Sequence, residues 1–238
     1  MAGWNDVPHI SDAEKADLLK SIPAYQRDAR TKGIPQLGKG AIYPIEESEI
    51  TVEPFEIPHH FPRAYALDVG WNKTAAIWGA YDRESDCWYY YSEHYRGHAE
   101  PSVHAKAIRA RGAWIPGCID PAARGRTQDD GAVLIDQYRD NGLELYLAEN
   151  ALESGLLEVF ERMSTGRLKI FSTLRNFFAE FRIYRRDENG KIVKSPDHLL
   201  DVARYLCMTG RDIMITEPVN DDYSQDNQRR GRSKVGGY

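Results

Sequence analysis

Residues 64–71, Ala64-Tyr65-Ala66-Leu67-Asp68-Val69-Gly70-Trp71, read as a strand that ends on a carboxylate. Four apolar residues lead into Asp68, and Val69-Gly70 turn the chain toward another apolar run. An ionised side chain in such company is costly to bury unless hydrogen bonds or a cation offset it. Taken alone, Asp68 could equally cap a turn. Two more runs follow closely, Thr74-Ala75-Ala76-Ile77-Trp78-Gly79-Ala80-Tyr81 and Cys87-Trp88-Tyr89-Tyr90-Tyr91-Ser92-Glu93-His94-Tyr95. Both are rich in aromatic and β-branched residues, and the connections at 70–73 and 82–86 are short. The three runs therefore predict an antiparallel meander.

Beyond it the pattern alternates. A helix over 102–111 precedes a run at 115–119 that ends on Asp120, and a helix near 132–141 leads to a strand at 143–147. Another helix, about 152–164, leads to a strand at 168–171, followed by a helical piece from 174. Residues 181–186, Asp187-Glu188-Asn189-Gly190 and 191–194 predict a hairpin around an Asn-Gly turn. A last helix runs over 196–209, with Gly210 as its stop. A meander followed by alternating helices and strands predicts an α/β fold on a sheet of mixed direction.

Upstream, Ser11 and Glu14 form a capping box, and Ala13, Ala16, Leu18 and Leu19 continue an apolar pattern up to Pro23. A second helical stretch, 25–32, stops at Gly33. The Pro- and Gly-rich remainder to residue 62 predicts an extended arm with short strands against a larger body. The polar end of the chain predicts a flexible tail. The expected organisation is an arm over 1–60, a domain over 61–215 and a tail over 216–238.

Composition narrows the function classes. Of 238 residues 42% are apolar and 28% charged, which permits a sizeable core and excludes global disorder. No apolar run approaches the ~18–20 residues of a membrane span. The start, MAGWNDVPHI, has neither the basic nor the apolar part of a secretory signal. Cys87, Cys118 and Cys207 form no CxxC pair, which argues against a disulfide scaffold or zinc module and suits a reducing cytosol. Net charge is −5, so any contact with nucleic acid must be local. The acidic excess lies in residues 1–60, whereas 61–215 are close to neutral.

The chemistry concentrates on carboxylates. Asp120, like Asp68, follows an apolar run, and strand C-termini in α/β sheets are where ligands gather. Asp129 and Asp130 instead precede a helix and suit its N-terminus. In Pro196-Asp197-His198-Leu199-Leu200-Asp201-Val202-Ala203-Arg204-Tyr205, His198 and Asp201 share one helix face, and Asp197 lies a turn before Asp201. The bland alternative makes Asp197 a helix-dipole partner and pairs Asp201 with Arg204 or Lys194; it accounts well for Asp197 and poorly for Asp201. Three carboxylates without a supporting cysteine favour hard divalent cations acting on phosphate esters. Gly33-Ile34-Pro35-Gln36-Leu37-Gly38-Lys39-Gly40 nearly matches a phosphate-binding loop. It lacks the final hydroxyl residue and follows a helix, so it reads as a linker. No GxSxG elbow supports a serine hydrolase.

At these residues the chain resembles the C-terminal nuclease domain of the large terminase subunit of tailed bacteriophages, which has a ribonuclease H-like fold. The matching segments are Ala66–Trp71, Ile119-Asp120-Pro121-Ala122-Ala123-Arg124-Gly125-Arg126 and Asp197–Tyr205. Less specifically, Gln26–Pro35 and Gly40–Tyr43 resemble the segment joining ATPase to nuclease, so the likeness spans about residues 5–210. Val202 stands where the family often has alanine.

The resemblance implies an endonuclease that uses two Mg2+ or Mn2+ ions to cut double-stranded DNA with little sequence preference. Asp68, Asp120 and Asp201 would be its metal-binding catalytic triad, Asp68 bridging both ions, with Asp197 and His198 as auxiliary groups. Arg124 and Arg126, and Arg185, Arg186, Lys191 and Lys194 of the hairpin, would flank the site and hold DNA phosphates. The implied task is cutting concatemeric viral DNA during genome packaging in the host cytoplasm, with portal and small terminase subunit as partners and no membrane. The missing phosphate loop gives the expectation of an isolated nuclease part beginning at an introduced or alternative Met1. Two alternatives remain. Asp68-x-Gly70-x-x-x-Thr74 also resembles the first phosphate loop of actin-like ATPases and sugar kinases. A non-catalytic docking module for portal or small subunit would use the arm and the tail.

Overall fold

A computed structural model describes residues 40–124, 134–193 and 196–218. The helices expected in 1–39, the Gly33–Lys39 pattern, Arg126, Asp129, Asp130, Lys194 and the tail from 219 onward lie outside the described residues.

The predicted meander forms the middle of the sheet. Strands β2 (Arg63–Asp68), β3 (Thr74–Asp82) and β4 (Cys87–Arg96) pair antiparallel, with Asp68 opposite Ala75 and Ala75 opposite Tyr95. β5 (Gly117–Ile119) lies parallel to β2, and β6 (Leu145–Leu147) parallel to β5. On the other flank β7 (Leu168–Phe171) runs parallel to β4, and β1 (Thr51–Val52) parallel to β7. The resulting order is β1-β7-β4-β3-β2-β5-β6, a mixed sheet as expected. The described helices are α1 (Glu47–Ile50), α2 (Pro101–Arg109), α3 (Leu134–Asp140), α4 (Leu152–Ser164), α5 (Arg175–Phe181) and α6 (His198–Ile213).

β2 is apolar without alternation because both of its faces are covered, which is the usual state of a central strand in an α/β sheet. Ala64 and Ala66 face one core, shared with α4, α5 and α6; Tyr65 and Leu67 face the other, shared with α2 and α3. Strand parity then sends Asp68 to the α6 side, two residues on from Ala66. The same rule sends Asp120 there, two residues on from Cys118, which belongs to the α6 core. The small side chains of Ala64, Ala66, Ala75 and Gly79 let α6 lie close to the sheet centre, and Tyr90 donates its hydroxyl to the Ala203 carbonyl at 2.9 Å.

Three local expectations differ from the structure. Gly210 does not stop the last helix; it is a buried residue within α6, where a Cβ would come within 2.7 Å of Leu206 and 3.0 Å of Trp88. Close packing against Trp88 requires that glycine, and the chain leaves the helix only at Met214. The hairpin is narrower than predicted. Phe181 ends α5 and Arg186 pairs with Ile192 in an isolated bridge, while Arg185 bridges back to Ala41. Finally, residues 40–60 do lie against a larger body, but as part of its core. Ile42, Tyr43 and Ile50 are buried, and β1 extends the sheet.

Gly117 offers a test of this packing. A Cβ there would be driven into the ring of Tyr65, which is itself stacked on Trp78. Gly117→Ala is expected to reduce unfolding free energy by about 1–3 kcal/mol, read from the midpoint of urea denaturation. An unchanged midpoint would contradict the close approach of β5 to Tyr65.

Candidate active site

The site is built where β2 and β5 end. Because these strands are parallel, Asp120 emerges beside Asp68, and its N–H extends the ladder by donating to the Leu67 carbonyl at 3.2 Å. Asp120 also shapes the turn that follows. Its Oδ1 accepts the Ala122 N–H at 3.0 Å and its carbonyl accepts the Ala123 N–H at 2.9 Å, starting a short 3-10 turn over Pro121–Arg124.

Helix α6 supplies the other half. His198, its first residue, places Nδ1 2.8 Å from Asp68 Oδ2. One turn later Asp201 Oδ1 accepts from Arg204 Nη2, also at 2.8 Å. The Arg204 guanidinium is buried, lies over the Tyr205 ring and donates through Nη1 to the Asn150 carbonyl at 3.0 Å. The Asp201–Arg204 pair that the sequence reading ranked low is therefore present. Asp197 caps no N–H with its side chain, although its carbonyl accepts from Asp201 N–H at 2.9 Å.

These carboxylates share one electrostatic field. Burial raises the Asp201 pKa; Arg204 opposes the rise, and the charges of Asp68 and Asp120 add to it. Burial raises Asp197 too, with Asp201 next in effect. The hydrogen bond to Asp68 raises His198, against the opposing effect of burial. Among the described residues no three His, Cys, Asp or Glu side chains are oriented to hold a metal ion together. Asp68 meets His198 through Oδ2 and Asp201 meets Arg204 through Oδ1, so each carboxylate has one oxygen engaged within the protein. An all-oxygen donor set with excess negative charge still matches the chemistry of a hard divalent ion.

Sequence reasoning missed what holds α6 in place. With no cap from Asp197, the Leu199 N–H is satisfied by Glu180 Oε2 of α5 at 2.7 Å. Glu180 Oε1 accepts the Tyr95 hydroxyl at 2.7 Å, and Tyr95 sits in the same cross-strand row as Asp68. Burial raises the Glu180 pKa, and these two hydrogen bonds oppose that shift. The signal was available: a single acid within Phe177-Phe178-Ala179-Glu180-Phe181.

The basic residues divide. Arg185 and Lys191 are exposed, whereas Arg186 is tied to both Glu153 oxygens at 2.9 Å and to the Gly190 carbonyl at 2.8 Å. The base of the hairpin borders the site: after burial, the charges of Asp201 and Asp197 are the next causes of the raised Tyr184 pKa. Arg124 closes the turn after Asp120.

Residues 66–209 match the terminase RNaseH-like domain family. The chain belongs to that family. The matched span contains Asp68, Asp120 and Asp201 and covers the sheet from β2 to β7. The large terminase subunit of Salmonella phage P22 is 36% identical over 217 residues, which are 87% of this chain and 43% of that protein. The chain thus spans less than half the length of the curated relatives it matches. The solved P22 large terminase nuclease domain superposes with a TM-score of 0.69 at 34% identity, over 76% of this chain and 97% of that one. The large terminase of the thermophilic bacteriophage D6E shares the fold, with a TM-score of 0.65 at 19% identity over 87% of this chain and 54% of that one. The ribonuclease H-like fold expected from the sequence is thereby established for this terminase domain.

Two stability measurements probe the site without substrate. Glu180→Ala leaves the Leu199 N–H and the Tyr95 hydroxyl without their acceptor and is expected to reduce stability by about 1–3 kcal/mol. Glu180→Gln, which can still accept, should restore part of the loss. The raised His198 pKa adds a pH signature. Its contribution is full below the unfolded value of about 6.5 and disappears as pH rises through the higher folded value. Chelator-treated protein should therefore lose stability relative to His198→Gln over that window, and a parallel pH profile for the two would contradict the Asp68–His198 pair.

Proposed function

We propose that this terminase domain is a divalent-metal-dependent endonuclease that cuts double-stranded DNA with little sequence preference. The observation that carries the reading is the convergence of Asp68, Asp120 and Asp201, from two strand ends and one helix, into a single repelling cluster. Similarity to the P22 nuclease domain supports it independently.

Asp68, Asp120 and Asp201 are the residues that would hold two Mg2+ or Mn2+ ions. When bound, such ions lower the pKa of a water and neutralise charge on the phosphate. The chain's own part is positional. His198 engages only Oδ2 of Asp68 and Arg204 only Oδ1 of Asp201, which leaves one oxygen of each carboxylate for an ion. His198, on the first turn of α6, stays beside Asp68 with Asp197 as its neighbour in the chain. Arg124, Arg126, Arg185, Lys191 and Lys194 would hold backbone phosphates on either side; Arg186 would first have to release Glu153. Phosphate contacts of this kind position a duplex without reading its sequence.

In the longer protein the domain, residues 61–215, would cut concatemeric viral DNA in the host cytoplasm during packaging. The arm over 1–60 and the tail over 216–238 would face the portal and small terminase subunit. The actin-like alternative draws on Asp68, Gly70 and Thr74 alone and leaves Asp201 unexplained. Thr74 is buried and its hydroxyl is given to the Gly70 carbonyl at 3.1 Å, which does not suit a phosphate-loop threonine.

Incubation with supercoiled plasmid tests the reading. Manganese alone, without ATP, should convert plasmid to nicked and linear forms, and EDTA should stop it. Asp68→Asn, Asp120→Asn and Asp201→Asn should each lower the rate by orders of magnitude in protein that circular dichroism shows to be folded, whereas Asp129→Asn should cut nearly normally. Near-parental cleavage by any of the first three variants would overturn the triad.

A further inference from the structure

We propose that Trp71 is a base-stacking platform of this site: its indole stacks on an unstacked base of the duplex next to the cut. This rests on the nuclease reading above and adds to it a residue that touches bases rather than phosphates.

Trp71 lies in the β2–β3 turn, three residues beyond Asp68. Chain geometry limits its Cα to within ~11 Å of that of Asp68, about three base steps at ~3.4 Å each. It is 63% exposed, while the other exposed large apolar side chains among the described residues lie between 38% and 45%. An indole this exposed has surface to offer a planar partner, and aromatic side chains stack on bases of any sequence.

The turn is built to hold the indole still. The Thr74 hydroxyl donates to the Gly70 carbonyl at 3.1 Å, and His98 N–H donates to the Trp71 carbonyl at 2.8 Å. Gly97 is required for the same approach, since a Cβ there would collide with the Asn72 carbonyl. His98 takes a φ of +52°, uncommon for a residue with a side chain, and sets its ring edge-on to the indole at 5.8 Å. Two segments from separate strand ends, one of them strained, thus fix an exposed aromatic ring.

The surroundings select the partner. The other side chains of the turn are Asn72 and Lys73, and those facing it are Arg96 and His98; Lys73 lies over the Tyr95 ring at 4.3 Å. No acid lies between Val69 and Lys73 or between Arg96 and Ala99. A single aromatic ring among cations fits a nucleic-acid strand, whose bases offer a π-face and whose backbone is anionic.

The test uses the full chain carrying Asp201→Asn, so that DNA is bound and not cut, with a duplex oligonucleotide of fixed sequence as the probe. Adding Trp71→Ala should weaken binding about tenfold, and Trp71→Phe should restore most of it, with the salt slope unchanged in both. Emission that is lost in Trp71→Phe, whose other tryptophans are Trp4, Trp78, Trp88 and Trp114, should be quenched by the duplex. Both variants should melt with the parent, because the ring is exposed. Parental affinity in Trp71→Ala, emission indifferent to DNA, or a flattened salt slope would each overturn the stacking role while leaving the nuclease reading intact. A parent that binds no duplex at all would overturn both.

Discussion

Like charge gathered at one end of the sheet is the constraint on which the rest of the structure depends. Asp68 and Asp120 are set side by side by the parallel pairing of β2 and β5, and α6 brings Asp201 against them. At an effective dielectric of about 20, unit charges about 4–6 Å apart interact by about 3–4 kcal/mol, a large fraction of the ~5–15 kcal/mol that keeps a domain folded. Groups that can donate to it ease that repulsion. In this structure they are His198, which donates to Asp68 when protonated, and the Arg204 guanidinium on Asp201. The helix that carries both cations is in turn held by Glu180, itself anchored by Tyr95 in the row that contains Asp68. Sheet, helix and carboxylates form one closed circuit of contacts.

That circuit ties the ion pairs to the fold. His198 engages one oxygen of Asp68 and Arg204 one oxygen of Asp201. The pairs differ in how easily they open. His198 is partly exposed and loses its charge as pH rises, whereas Arg204 is buried and always charged. Asp68 thus has the weaker partner and Asp201 the firmer one.

Much of this could be read in the residues and some of it could not. The meander, the alternation after it and the strand-end aspartates were legible because each follows from local apolar runs and from strand parity. The seven-stranded order was not, since β1 and β7 pair across more than a hundred residues with only two residues in β1. Gly210 looked like a helix stop because glycine commonly is one; only the nearness of Trp88 shows why it stands inside α6. Pairing of Asp201 with Arg204 was the less favoured reading, yet the buried Arg204 meets Asp201 at i,i+3 spacing. Glu180 escaped notice because its role appears only once α5 and α6 are packed together.

The central claim, that Asp68, Asp120 and Asp201 hold metal together, can be tested directly in a crystal of the domain soaked in manganese. An anomalous difference map should place Mn2+ against oxygens of all three aspartates. Manganese absent from this end of the sheet at saturating concentration would contradict it.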